Sequence, residues 1–195
     1  MFTGIIEELG LVKKIESQGS NLNIWIESNF TNDLKIDQSV AHNGVCLTVV
    51  EIETSQYRVT AIQETLDKTT IGDLVVGDIV NLERCMAFGD RVDGHLVYGH
   101  VDSVAVCIDK KELDGSWLFT FSFDEEFKNL VVEKGSVSLN GTSLTIFDVQ
   151  DTLFSVAIIP YTYNHTSIKN IHIDSKVNLE FDIFGKYVEK HLKNR

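Results

Sequence analysis

A ten-residue stretch, Ser39-Val40-Ala41-His42-Asn43-Gly44-Val45-Cys46-Leu47-Thr48, returns 97 positions later as Ser136-Val137-Ser138-Leu139-Asn140-Gly141-Thr142-Ser143-Leu144-Thr145. The offset holds without a gap from Ser39/Ser136 to Glu83/Glu180, and 15 of those 45 aligned pairs are identical. Chance does not produce an ungapped match of that length, so the chain contains one unit twice. Whatever one half folds into, the other half folds into as well. The 195 residues then divide into two units of roughly 90 residues each, within the usual domain range.

The pattern inside a unit is that of strands. Only one proline is present, and helix-period segments are scarce. Short runs rich in Val, Ile, Thr and Phe dominate, among them Leu22–Ile26, Tyr57–Ile62, Trp117–Phe123 and Phe154–Ile159. Gly, Asn and Asp separate them, which predicts a barrel or sandwich. Asn43-Gly44 and Asn140-Gly141 are the strongest short-range turn signals, because both central positions tolerate positive φ. Strands are expected to follow at Val45–Ile52 and Thr142–Val149. A small all-β unit protects its edges best by closing on itself. The expected architecture is therefore all-β, with two tandem, similar, closed antiparallel β-barrels of Greek-key type and a short C-terminal α-helix.

The expected boundaries are residues 1–86 for the first barrel, 87–94 for a glycine-flanked polar linker and 95–183 for the second barrel. Beyond these, Ile183, Phe184, Tyr187, Val188, His191 and Leu192 recur at helical spacing. They predict an amphipathic helix, taken as 184–195. A lone helix this short is marginal in water. It must dock, either on its own barrel or with copies of itself.

Composition narrows the function classes. A net charge of −12 argues against a nucleic-acid surface, which needs a basic patch. Cys46, Cys85 and Cys107 form an odd, widely spaced set without zinc-ligand spacing, and free thiols fit a reducing compartment. The start, Met1-Phe2-Thr3-Gly4, lacks the basic and apolar regions of a signal peptide. No apolar run approaches the ~20 residues that span a bilayer. A cytoplasmic location, with no membrane partner, is the expectation. P-loop, dinucleotide and nucleophile-elbow motifs are absent, so no cofactor and no metal are expected.

Several residue types remain that could carry chemistry. Cys46 and its counterpart Ser143 are both small, with a nucleophilic or hydrogen-bonding atom, and both precede Leu-Thr. A free cysteine is usually a small buried hydrophobe, but a pure packing position would keep an apolar residue in both copies. His95 and His100, five residues apart, would face opposite sides of a straight strand and could not share a metal. Each could equally be structural. Thr65/Thr162 and Thr69/Thr166 hold equivalent places near strand ends, either as turn formers or as a polar rim. Lys134 stands where the first unit has Asp37.

Taken in order, Met1–Glu7, Asn43–Thr48, Gly94–Asp102, Asn140–Thr145 and Ile159–Thr162 resemble riboflavin synthases of the alpha-chain type, a lumazine-binding double-barrel family. The resemblance covers nearly the whole chain. It implies tandem barrels, a homotrimer held by C-terminal helices, no cofactor, and lumazine synthase as a candidate partner. The implied reaction is the dismutation of two 6,7-dimethyl-8-ribityllumazine molecules. One donates a four-carbon unit to the other, giving riboflavin and a ribitylamino-pyrimidinedione. Two like substrates need two like sites, facing each other across a subunit boundary. The resemblance assigns Gly4, Ile5, Ile6, Cys46, Leu47, Thr48, Thr60, Ala61, Ile62, Gln63, Glu64 and Thr65 to the first site. It assigns Gly99, His100, Val101, Lys134, Ser143, Leu144, Thr145, Ala157, Ile158, Ile159, Pro160, Tyr161 and Thr162 to the second. Phe2, Ser39, His95 and Asp182 match further positions of functional weight. His100 is the expected proton shuttle, since imidazole titrates near neutral pH. Ser143 and Thr145 are expected to position a nucleophile or stabilise charge, and Cys46 to bind or polarise the other lumazine. The competing class is a non-catalytic lumazine- or flavin-binding antenna protein, which would hold one chromophore per chain.

Overall fold

Each Asn-Gly pair makes the hairpin that its sequence predicts. Asn43 and Gly44 have φ of 45° and 77°, and Asn140 and Gly141 have 45° and 81°, the positive values that a two-residue type I′ turn requires. The computed structural model describes residues 1–193. Around the first hairpin, β1 (Glu8–Gln18), β2 (Asn21–Glu27), β3 (Ser39–His42), β4 (Val45–Ile52), β5 (Gln56–Ala61) and β6 (Ile79–Arg84) form a barrel. It closes in the order β1-β2-β5-β4-β3-β6, all antiparallel. The second barrel uses β7 (Ser103–Leu113), β8 (Ser116–Ser122), β9 (Ser136–Leu139), β10 (Thr142–Phe147), β11 (Leu153–Ile158) and β12 (Lys176–Phe181). It closes in the equivalent order. Closure leaves no unpaired edge.

Inward side chains alternate along the strands, as in Tyr57, Val59 and Ala61 of β5, all fully buried. They fill two separate cores, one aliphatic around Ile24, Val49 and Leu82, the other aromatic around Phe119, Phe121 and Phe154. A one-turn helix follows the fifth strand of each barrel, α1 (Gln63–Lys68) and α2 (Pro160–His165). The sequence reading has strand ends here. Pro160 at the first turn of α2 is the signal that reading passed over, since proline's fixed φ suits that position.

The barrels dock through their duplicated turns. A Cβ placed on Gly44 would lie 2.6 Å from the Gly141 nitrogen, and one on Gly141 would lie 2.8 Å from the Gly44 nitrogen. Two asparagines, each 1% exposed, seal this contact reciprocally. Asn81 donates from Nδ2 to the Asn140 carbonyl at 2.8 Å and accepts the Ser167 amide at Oδ1, at 2.7 Å. Asn178 donates to the Asn43 carbonyl at 2.8 Å and accepts the Thr70 amide at 2.7 Å.

α3 runs Ile183–Lys193, and residues 194 and 195 of the expected helix lie outside the described residues. It meets its own barrel at the 3₁₀ turn Glu125–Leu130, where Asn129 donates to Glu189, and at Asp102, which pairs with Lys186. Phe184, Tyr187, Val188 and Leu192 stay exposed. No helix among the described residues is long and apolar enough to cross a membrane.

One core group makes stability depend on pH. His42 is 1% exposed and bonds Tyr57 Oη through Nε2 at 2.8 Å. Burial lowers its pKa from 6.5 to about 4. The unfolded chain therefore takes up a proton near pH 6.5 that the folded chain refuses until about pH 4. Stability from neutral His42 is complete above pH 6.5 and is lost as pH falls through that window, to a total of about 3 kcal/mol. Urea titrations of wild type and His42→Gln should show wild-type stability falling by about that much relative to the variant between neutrality and pH 4.

Candidate functional site

Two irregular arms run between the barrels. One is the start of the chain, Met1–Ile6, and the other is the segment 95–102 that leads into β7. They pair with each other: Phe2 N–H donates to the Val97 carbonyl at 2.7 Å, Val97 N–H returns to Phe2 at 3.0 Å, and His95 N–H donates to Thr3 at 3.0 Å. Phe2 is buried between them, with Val97 and Ala41.

The arms then cross. Ser143 N–H, on β10 of the second barrel, donates to the Gly4 carbonyl at 2.8 Å. Cys46 N–H, on β4 of the first barrel, donates to the Gly99 carbonyl at 2.9 Å. A Cβ on Gly4 would sit 2.6 Å from Ser143 Cβ, and one on Gly99 would sit 2.6 Å from Cys46 Cβ. Both glycines have positive φ, 78° and 74°. Only glycine allows backbone this close in that conformation. These backbone contacts cross the grouping expected from sequence: the arm carrying Gly4 meets Ser143, and the arm carrying Gly99 meets Cys46. Val101 indeed packs against the first barrel's core, and Ile6 reaches Gly141.

Beside Ser143 lies a cavity of about 400 Å³, a size that suits a small organic molecule. Lys134, Ser143, Leu144, Thr145, Phe147, Ala157, Ile158, Ile159 and Thr162 line it. Eight of these nine are in the sequence-derived set. Phe147 is not, although the two-residue strand period places it on the face of Thr145. Lys134 holds its ammonium 5.0 Å from the Phe147 ring centre. Pro160 and Tyr161 sit outside the lining, on α2, where Tyr161 stacks on His165.

The corresponding positions of the first barrel are Cys46, Leu47, Thr48, Ala61, Ile62 and Thr65, of which Leu47 and Ala61 are buried in its core. Ser39 pairs across the ladder with Thr48, as Ser136 does with Thr145. Thr60 is engaged elsewhere, donating to Asn23 Oδ1 at 2.7 Å. Gln63 and Glu64 are exposed on α1, with Gln63 bonded to Asp67. Asp37 and Val50 occupy the places of Lys134 and Phe147. The two surfaces share a backbone and differ in charge and aromaticity.

The histidine that meets Ser143 is His95. Its Nδ1 lies 2.7 Å from Ser143 Oγ. His95 is buried, which lowers its pKa, while nearby Asp182 acts in the opposite direction. A neutral imidazole with Nδ1 facing a hydroxyl can accept its proton, the arrangement of an activated nucleophile. His100 is exposed and stands on the Cys46 side, its ring 6.1 Å from that of Tyr98. Within one chain it is apart from Ser143. Asp182 also caps α3, its Oδ1 accepting the Phe184 amide.

The lumazine binding domain model matches the chain twice, at residues 3–85 and 98–182. The chain belongs to the lumazine-binding domain family. As a lumazine-binding-domain chain, it is 38% identical to a riboflavin synthase of Actinobacillus pleuropneumoniae, over 98% of this chain and 90% of the relative. It is 39% identical to a riboflavin synthase of Schizosaccharomyces pombe, over 97% of this chain and 93% of the relative. The crystal structure of LumP complexed with riboflavin superposes with a TM-score of 0.86 at 23% identity, covering 93% of this chain and 99% of that one. At that identity the likeness is one of fold. Both matched segments of this lumazine-binding chain contain one pocket strand and one barrel.

Proposed function

We propose that the chain has riboflavin synthase activity, dismuting two 6,7-dimethyl-8-ribityllumazine molecules into riboflavin and 5-amino-6-ribitylamino-pyrimidinedione. The observation that carries this is the pair of equivalent pocket strands, each bonded through its Ser143 or Cys46 amide to an arm from the opposite side, with a Ser143–His95 pair at only one of them. Two like binding surfaces suit two like substrates, and their unlike side chains suit unlike roles. One lumazine loses a proton from its acidic C7 methyl group. In this reading the other is made electrophilic at C7, Ser143 Oγ adds there or holds the adding nucleophile, and His95 takes the proton. The two join into a pentacyclic adduct, which breaks so that four carbons stay with one partner. Atoms and electrons balance between the two lumazines, so no outside oxidant is consumed. Lys134 favours a negatively charged pyrimidine edge in the Ser143 pocket, and Cys46 with His100 serves the other. Holding two reactants in register supplies about 7–11 kcal/mol of barrier lowering.

Mixing the protein with this lumazine tests the reading. Riboflavin absorbance should rise, and the protein should bind two lumazines per chain. One bound chromophore and no riboflavin would instead indicate an antenna-type protein.

The assembly we propose is a homotrimer joined by α3, with a pocket of one subunit opposed to a pocket of the next. Support comes from the exposed apolar face of α3 and the groove of about 780 Å³ that it forms with Leu130 and Val132. Val188→Asp should convert a trimer to monomers in light scattering, since it places a charge in a buried apolar contact, and should lower activity with it. Adding lumazine synthase to the same sizing run tests that partner. We place the protein in the cytoplasm, where the free thiols of Cys46, Cys85 and Cys107 would stay reduced.

A further inference from the structure

The duplicated register ends on Glu83 and Glu180, equivalent residues at the ends of β6 and β12. Neither lines the cavity beside Ser143, and the reaction outlined above uses neither. Both are nevertheless buried, at 5% and 2% exposure. A buried carboxyl is costly unless its environment compensates. Burial pushes Glu180 up to about 7, opposed by the Tyr98 amide, Lys186 and the Gly99 amide. Burial also raises Glu83, opposed by bonds from Thr3 and Gly4.

Their bonds are spent on the two arms. Glu83 accepts the Thr3 amide at 2.6 Å and the Thr3 hydroxyl at 2.9 Å on Oε1, and the Gly4 amide at 3.0 Å on Oε2. Glu180 accepts the Tyr98 amide at 2.7 Å on Oε1 and the Gly99 amide at 2.9 Å on Oε2. A carboxylate receiving two consecutive amides fixes the peptide between them in position and orientation. Gly4 and Gly99 are also the residues whose carbonyls receive the Ser143 and Cys46 amides. Each glycine is thus gripped twice. One barrel's carboxylate holds its N–H, and the other barrel's pocket strand holds its C=O.

We propose that Glu83 and Glu180 are crossed positioning residues, each standing on one barrel and fixing the arm that is bonded to the pocket strand of the other. Glu83 acts through Gly4 on the Ser143 pocket. Glu180 acts through Gly99 on the Cys46 pocket. The inference rests on the reading that both pockets take lumazine. It explains why a side chain whose two oxygens both accept when ionised stands at both places. Glutamine has the same shape but offers one acceptor and one donor, so it leaves one arm amide facing an N–H group.

The test uses full-length protein and ¹³C-labelled 6,7-dimethyl-8-ribityllumazine. NMR signals of the two bound molecules are assigned through Ser143→Ala and Cys46→Ser. Glu83→Gln should weaken the Ser143 pocket by about tenfold or more and leave the Cys46 pocket within about twofold. Glu180→Gln should do the reverse. A general loss of structure would weaken both pockets together, so the crossed pattern separates positioning from folding. Should either glutamine variant fail to fold, the aspartate variant decides. It keeps both acceptors on a shorter stem and should show a smaller loss at the same opposite pocket. Losses at the barrel's own pocket, equal losses at both, or none would overturn the inference. Wild-type protein that binds no lumazine would instead overturn the functional reading.

Discussion

Ser143→Ala is expected to reduce riboflavin formation by about a hundredfold or more while the fold and the Cys46 pocket persist. The hydroxyl is the group that His95 Nδ1 faces at 2.7 Å, and a positioned base typically contributes 10²–10⁴-fold. His95→Gln should fall by a similar factor. The double variant should be little worse than either single one, because groups that act as a unit lose their effect together. His100→Gln should also slow turnover, through the Cys46 side. Lys193→Ala is the control, since Lys193 pairs on the surface of α3 with Glu189 at 2.8 Å. Steady-state rates from riboflavin absorbance check all five, and equal rates would remove the catalytic assignment.

The largest expected effect on stability is at the contact between barrels. Asn81→Leu keeps bulk but leaves two backbone groups without their partner, the half-buried Asn140 carbonyl and the buried Ser167 amide. Each unsatisfied buried group costs about 1–3 kcal/mol, so a total loss of about 2–6 kcal/mol is expected. For a chain of this length that lowers Tm by roughly 4–24 °C. Calorimetry should show the loss as a separation of the two barrels' transitions, because strand pairing inside each barrel is untouched. Asn178→Leu should act alike through the Asn43 carbonyl and the Thr70 amide. A single transition at the wild-type temperature would show that these bonds do not join the barrels.

What the sequence made legible was whatever repeats locally. Runs such as Tyr57–Ile62 and Phe154–Ile159 predict strands within a residue of β5 and β11, since alternation of burial is a short-range signal. The Asn-Gly hairpins were legible for the same reason. The one-turn helices α1 and α2 were not, because six residues are too few for a helical period to emerge. The arms were the harder failure. Gly4 and Gly99 are visible in the chain, but alignment of two copies cannot say whether an arm lies on its own barrel or on its twin. Nor could spacing decide between His95 and His100. The left-handed backbone at Gly99 breaks the straight strand assumed for the two histidines.

The exchange of arms has an evolutionary reading. If each barrel borrows a wall from its neighbour, a product half as long would be incomplete alone and would find its missing piece on a second molecule of itself. The tandem gene is then a swapped dimer made permanent. Fusion replaced a bimolecular encounter with an intramolecular one, and it freed the two halves to diverge, so that a cysteine and a serine could come to stand at the same address.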